Sequence, residues 1–153
     1  MSQRRPDSIL PPTQRSLPIA LIRAREKVMA PIRDMLARSG ITEQQWRVLR
    51  VLSEAPSMDA TELAEGAGLH QPSLTRILKT LTEKGLIRRS QDAQDRRRQV
   101  VVLTDAGRAV ITENLDEATR IADALRATLG AERFETLLDL LGSLDEFRFP
   151  PDP

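Results

Sequence analysis

Apolar residues recur at helical spacing over most of this chain, and the pattern turns to strand type in only one short region. In residues 17–38 the apolar positions are Leu17, Leu21, Ala24, Val28, Ile32, Met35 and Leu36, one stripe of an amphipathic helix. Pro18 suits its first turn and Gly40 stops it, while Pro31 is expected to kink or split it, because proline lacks the N–H donor and crowds the preceding turn. Thr42 and Gln45 form a capping box that opens a second helix, buried through Trp46, Leu49 and Leu52 and ended by Pro56. Arg47 and Arg50 share its other face, each four residues from an acid, Glu43 or Glu54. Asp59 and Glu62 repeat the capping pattern before a short helix through Leu63 and Ala64, which the run Gly66, Ala67, Gly68 is expected to break.

A further helix is predicted over residues 71–84, with Pro72 near its start and Gly85 at its end. Two strands follow, at 86–89 and at 99–103, the second (QVVVL) strongly β-forming. Between them SQDAQDRRR reads as a polar, charged hairpin loop. Thr104 caps a long helix over 105–128, Gly130 breaks it, and a last helix over 131–147 carries Phe134, Leu137, Leu138, Leu141 and Leu144 on one side. Residues 1–16, with three prolines among polar residues, read as a flexible arm, and 148–153 as a disordered tail. Helix, turn, helix and two-stranded hairpin together predict a mainly α fold. It is a winged helix-turn-helix over 42–104 with a two-stranded β-wing, flanked by long, apolar-striped N- and C-terminal helical regions, 17–38 and 105–147, that a compact winged helix does not need for itself.

Charge sharpens this picture. The net charge is only +1. Residues 71–98 nevertheless hold eight Lys and Arg against three acids, a net of +5, and residues 105–147 hold four Arg against ten acids, a net of −6. A basic middle beside an acidic C-terminal third suits a polyanion-binding face on a body that stays away from the polyanion. The absence of cysteine excludes a disulfide scaffold, a Cys-zinc site and a thiol sensor, and one histidine leaves little for a metal site. No apolar run reaches the roughly 18 residues of a membrane span, and the N-terminus lacks an export-signal core, so a cytoplasmic protein without cofactor or metal is expected.

In the helix at 71–84, Leu74, Ile77, Leu78 and Leu81 make a core-facing stripe. Pro72, Arg76, Lys79 and Glu83 fall opposite, with Ser73, Thr75 and Thr80 on the flanks. Short hydroxyls and long cationic donors are the groups that meet base edges and phosphates in a major groove, which makes Ser73, Thr75, Arg76 and Lys79 the candidate recognition residues. The hairpin loop adds Arg96, Arg97 and Arg98, guanidinium groups that a minor groove attracts. Asp92 and Asp95 would repel phosphate, and holding a neighbouring Arg in shape is the natural task for them. A winged helix used only for protein contact is the alternative, disfavoured by the joint presence of the Arg-rich tip and the Ser/Thr/Arg/Lys face. Nothing suggests an enzyme: there is no nucleophile elbow, no phosphate-cradling Gly loop and no carboxylate pair with a histidine.

These stretches resemble the MarR family of bacterial regulators. Its wing signature, Asp-x-Arg, five residues, then Leu-Thr, is met by Asp95, Arg97, Leu103 and Thr104, downstream of the helix-turn-helix segment ELAEGAGLHQPSLTRILKTLTEKGLI. The resemblance covers residues 17–147. It implies a recognition helix at 71–84, Arg97 as the wing arginine with Asp95 orienting it, and a homodimer joined through the first and last helices. Such a dimer binds double-stranded DNA at a near-palindromic operator, its two helices roughly 34–36 Å apart.

The resemblance also implies a small aromatic acid that releases DNA from a pocket between dimer helices and DNA-binding lobe. Arg25, a cation on the stripe of Leu21, Val28 and Ile32, and Trp46, on the buried side of the second helix, are candidates to line it, with His70 in the turn before the recognition helix. Other roles stand beside these: a snorkelling or salt-bridging Arg25, a plain core Trp46, and a capping or phosphate-contacting His70.

Overall fold

The computed structural model describes residues 10–150. Six helices and one hairpin follow in the order α1 Leu17–Ala37, α2 Glu43–Leu52, α3 Ala60–Ala67, α4 Gln71–Glu83, β1 Ile87–Gln91, β2 Gln99–Leu103, α5 Asp105–Leu129 and α6 Ala131–Asp145. The mainly α winged-helix architecture is therefore present. Both capping boxes form: the Gln45 N–H donates to Thr42 Oγ1, and the Glu62 N–H to Asp59 Oδ1. Each is answered by the N3 side chain accepting from the cap residue's own N–H. Thr104 caps α5 in the same sense, accepting from the Gly107 N–H at 3.1 Å.

The core lies where α2, α3, α4 and the hairpin meet. Val48, Leu49, Leu63, Leu74 and Leu81 are all at 0% exposure, and Met35, Leu36 and Trp46 join the same cluster. The whole predicted stripe of α4, Leu74, Ile77, Leu78 and Leu81, is buried. At about 1.5–3 kcal/mol for each fully buried aliphatic side chain, this stripe is what fixes which face of α4 stays outside.

Several expectations are corrected. Pro31 does not split α1, which runs unbroken from Leu17 to Ala37. One N–H is lost, but Met35 and Leu36 beyond the proline sit at 1% exposure and anchor the last turn in the core. The arm is not wholly irregular. Thr13–Arg15 form a 3₁₀ turn that leads through Ser16 into α1, while residues 1–9 of that arm lie outside the described residues. Gly66 and Ala67 do not break the chain but complete α3, which ends at Gly68 with φ +62°. A Cβ on Gly66 would stand 2.8 Å from Val51 Cγ1, so this glycine serves close packing of α3 on α2.

The first strand starts at Ile87 and reaches Gln91, because Ser90 and Gln91 find antiparallel partners in Val100 and Gln99. Met58 adds an unforeseen bridge to Val101: its N–H donates to the Val101 carbonyl at 3.1 Å, and its carbonyl accepts from the Val101 N–H at 2.7 Å. The last helix ends two residues earlier than expected, at Asp145. Of the tail, residues 148–150 show no regular structure and 151–153 lie outside the described residues.

At the other end of the molecule α1 packs against α5, and α5 against α6. The side-chain amide of Asn114, at 6% exposure, donates to the Val110 carbonyl at 2.8 Å and to Ser39 Oγ at 3.0 Å, which ties α5 to the end of α1. No residue of α6 is buried.

Candidate nucleic-acid interface

The face of α4 is set by the turn before it. Gly68 takes the left-handed conformation that turns the chain out of α3, and Arg47 Nη1 donates to the Ala67 carbonyl at 3.0 Å, satisfying a helix-end acceptor from α2. His70 is the N-cap of α4 but makes no side-chain capping bond, and Pro72 occupies the first turn. With the apolar stripe buried, Thr75, Arg76 and Lys79 are exposed and Ser73 is half-buried. The Thr75 hydroxyl donates to the Gln71 carbonyl at 3.0 Å, so its oxygen is presented as an acceptor. Among the described residues neither Arg76 nor Lys79 has an ion-pair partner. Ser73, Arg76 and Thr80 form one wall of a polar cleft of about 260 Å³, whose opposite wall is Thr42, Gln44 and Gln45 at the start of α2.

The wing is shaped by its two aspartates. Asp92 Oδ1 accepts from the Gln94 N–H at 3.0 Å and Asp95 Oδ1 from the Arg97 N–H at 3.0 Å. Each is a side-chain-closed turn of the kind aspartate favours. The hairpin closes above them, where the Asp92 N–H reaches the Arg98 carbonyl at 2.9 Å and the Arg98 N–H the Asp95 carbonyl at 3.0 Å. The three arginines are not equivalent. Arg96 and Arg97 are exposed and, among the described residues, unpaired. Arg98, though exposed, is ion-paired: Nε donates to Asp59 Oδ2 at 2.9 Å, Nη2 bonds the same carboxylate, and Glu62 Oε2 and Asp92 Oδ2 stand at 3.1 and 3.5 Å. The expected side-chain pair of Asp95 with an arginine is replaced by a bond to the backbone of Arg97, whereas Asp92 stands beside an arginine, Arg98, as expected, and Asp59 and Glu62 join it there. Sequence reading missed Asp59 and Glu62 in this role because their capping-box pattern already accounted for them.

The domain model that matches this region is described as the MarR family and covers residues 41–98. Over 126 residues, 82% of this chain and 85% of the relative, the chain is 38% identical to the homoprotocatechuate degradative operon repressor of Escherichia coli. The chain belongs to the MarR family. Two solved structures support the same placement. NadR in complex with 4-hydroxyphenylacetate superposes with a TM-score of 0.80 at 36% identity, covering 95% of this chain and 100% of that one. CouR bound to a 23-mer DNA duplex superposes with a TM-score of 0.74 at 32% identity, covering 86% and 93%.

In this MarR-family chain the three candidate effector residues stand in different surroundings. Arg25 lies on the exposed side of α1 and its Nη2 bonds Glu43 at the start of α2. Arg33 reaches the same Glu43 at 3.4 Å and Glu26 at 2.9 Å. Glu43 is held below the usual carboxylate range, first by the Arg25 hydrogen bond and also by Arg33, against a smaller opposing effect of burial. Trp46, at 7% exposure, is part of the core, with the Arg50 guanidinium 6.0 Å from its ring centroid. His70 is exposed. The markedly apolar cleft, about 290 Å³, lies elsewhere, between α1, α5 and α6, lined by Val28, Leu125, Phe134, Leu137, Leu138 and Leu141 among others.

Proposed function

We propose that the chain is a cytoplasmic, homodimeric repressor that binds a near-palindromic DNA operator of an aromatic-acid catabolic operon and lets go when a small aromatic acid binds. The observation that carries the DNA-binding part is the pairing of two unneutralised cationic surfaces on one lobe, Ser73, Thr75, Arg76 and Lys79 on α4 and Arg96 and Arg97 on the wing. The solved DNA complex of a relative with the same fold supports it. Residues 42–104 act as the DNA-binding lobe. Arg76 and Lys79 meet base edges and phosphates in the major groove, and Arg97 enters the flanking minor groove, with Asp95 fixing its backbone. The cleft beside Ser73, Arg76 and Thr80 gives a polar seat at the rim of that face.

The dimer reading rests on exposed apolar surface. Leu17, Leu21, Ile22 and Val28 of α1 and Leu137, Leu138, Leu140, Leu141 and Leu144 of α6 are each more than a third exposed in the single chain. A helix such as α6, with no buried residue, gains nothing from folding alone that a second copy would not multiply. The aromatic effector is supported by the 4-hydroxyphenylacetate complex of NadR and by the degradative-operon role in the name of the E. coli relative. Arg25, Trp46 and His70 are its candidate contacts, and an acid bonding Arg25 Nη2 competes with Glu43. Fluorescence anisotropy on DNA upstream of the chain's own gene tests the reading. Salt-dependent binding, relieved by an acid from a panel including 4-hydroxyphenylacetate and homoprotocatechuate, is expected, and binding that ignores salt would sink the phosphate contacts.

A further inference from the structure

We propose that Arg98 is a positioning residue rather than a DNA contact: its guanidinium ties the wing to the N-terminus of α3, and this tie sets where Arg96 and Arg97 stand relative to α4. The inference rests on the DNA-binding reading above and divides the labour among the three wing arginines. Two observations carry it. The first is geometry. Asp59 splits its carboxylate between two tasks, Oδ1 capping α3 through the Glu62 N–H at 2.8 Å and Oδ2 receiving Arg98 Nε at 2.9 Å. Met58, next to it, bridges β2 at Val101. One short segment before α3 therefore grips the wing twice, by backbone at the middle of β2 and by an ion pair nearer the tip. A two-stranded hairpin is marginal by itself. Gripped at both levels, it becomes an extension of α3, and α3 passes through the Gly68 turn directly into α4. Wing and recognition helix then share one rigid mount.

The second observation is charge. Within 4 Å of the Arg98 guanidinium lie the carboxylates of Asp59, Glu62 and Asp92, which leaves that spot with a local excess of two negative charges. A phosphate approaching it meets three carboxylates, with Nε and Nη2 already bonded to Asp59 and Nη1 facing Asp92. Arg96 and Arg97 carry no such neighbours among the described residues. Electrostatics assigns the DNA to them and Arg98 to the protein.

The test uses the full chain and two readouts, amide hydrogen exchange across residues 91–99 without DNA and the salt dependence of operator-duplex affinity. The variants are Arg98→Ala, Arg98→Lys, Asp59→Asn, which keeps an oxygen to cap α3, Arg97→Ala, and the double Arg97→Ala/Arg98→Ala. Arg98→Ala and Asp59→Asn are each expected to speed exchange across 91–99 and to weaken operator binding about tenfold with an unchanged salt slope. Arg98→Lys should restore part of that affinity. Arg97→Ala should leave exchange unchanged and lower the slope by about 0.9, the mark of one cation lost from the DNA-bound surface. The double variant should bind more weakly than Arg97→Ala by less than the roughly tenfold that Arg98→Ala costs alone, because only Arg96 is then left on the wing to be misplaced. A salt slope that drops in Arg98→Ala as it does in Arg97→Ala, or exchange indifferent to Arg98, would overturn the proposal. A wild-type chain indifferent to duplex DNA, with the exchange response intact, would remove the DNA reading and leave the tie standing.

Discussion

Asp95 steers Arg97 through the backbone: Oδ1 accepts from the Arg97 N–H at 3.0 Å, and the exposed Arg97 guanidinium has no ion-pair partner among the described residues. The carboxylate thereby shapes the turn without neutralising the cation that the turn presents. Asp95→Ala is expected to weaken operator binding although it removes a negative charge from the wing. Asp95→Asn, whose amide oxygen closes the same turn, should bind at least as well as wild type. Anisotropy titrations separate the two cases, and tighter binding by Asp95→Ala would show simple repulsion to be the larger effect.

Arg97→Ala and Arg76→Ala should each cost on the order of 1–3 kcal/mol of operator affinity if they contact bases. The loss should fall on the preferred sequence more than on random duplex. Parallel titrations with operator and scrambled duplex check this, and an equal loss on both would reduce the residue to a phosphate contact.

The apolar cleft between α1, α5 and α6 brings Leu138 and Leu141 together beside Val28. Replacing Leu138, which is 48% exposed in the single chain, by Asp should leave each lobe folded while shifting the chain from dimer to monomer. Operator affinity should fall by a hundredfold or more, since two half-sites no longer bind as one unit (a link on the order of 10²–10⁴ in effective affinity). Sedimentation equilibrium reads the assembly directly, and a Leu138→Asp dimer of wild-type affinity would move the interface elsewhere.

Gly107 admits no side chain. A Cβ there would stand 2.1 Å from the Leu86 carbonyl oxygen, which is backbone and cannot swing aside. Gly107→Ala should therefore push α5 off the base of the wing, at a cost of about 1–3 kcal/mol or more, visible as a lower midpoint in urea unfolding. Unchanged stability would mean that this contact relaxes at no cost.

The clasp of Arg25 and Arg33 on Glu43 gives a pH dependence of definite sign. Glu43 is lowered from the ordinary 4.5 in the folded chain. Its contribution is thus fully present above about 4.5 and disappears as pH falls through the lower folded value. Glu43→Gln should cost on the order of 0.5–1 kcal/mol at neutral pH, the modest value of part-exposed ion pairs, and less at pH 3. Thermal unfolding of both chains at the two pH values checks the convergence, and a constant gap would assign the loss to packing instead.

The sequence by itself determined the helices, their caps and the side of α4 that stays wet. The Thr42–Gln45 and Asp59–Glu62 boxes close over three residues, and the stripe from Leu74 to Leu81 repeats at helical spacing. Such interactions are short-range, so the residues that make them stand close together in the chain. Tertiary structure alone decided which wing arginine is tied and which are free. Arg98 meets Asp59 across 39 positions, and nothing local distinguishes it from Arg96 or Arg97 in a run of three. The same holds for the Met58 bridge to Val101 and for the contact that forbids a side chain at Gly107. An ion pair or a close approach between distant segments exists only once the core has brought them together, because until then chain entropy keeps them apart.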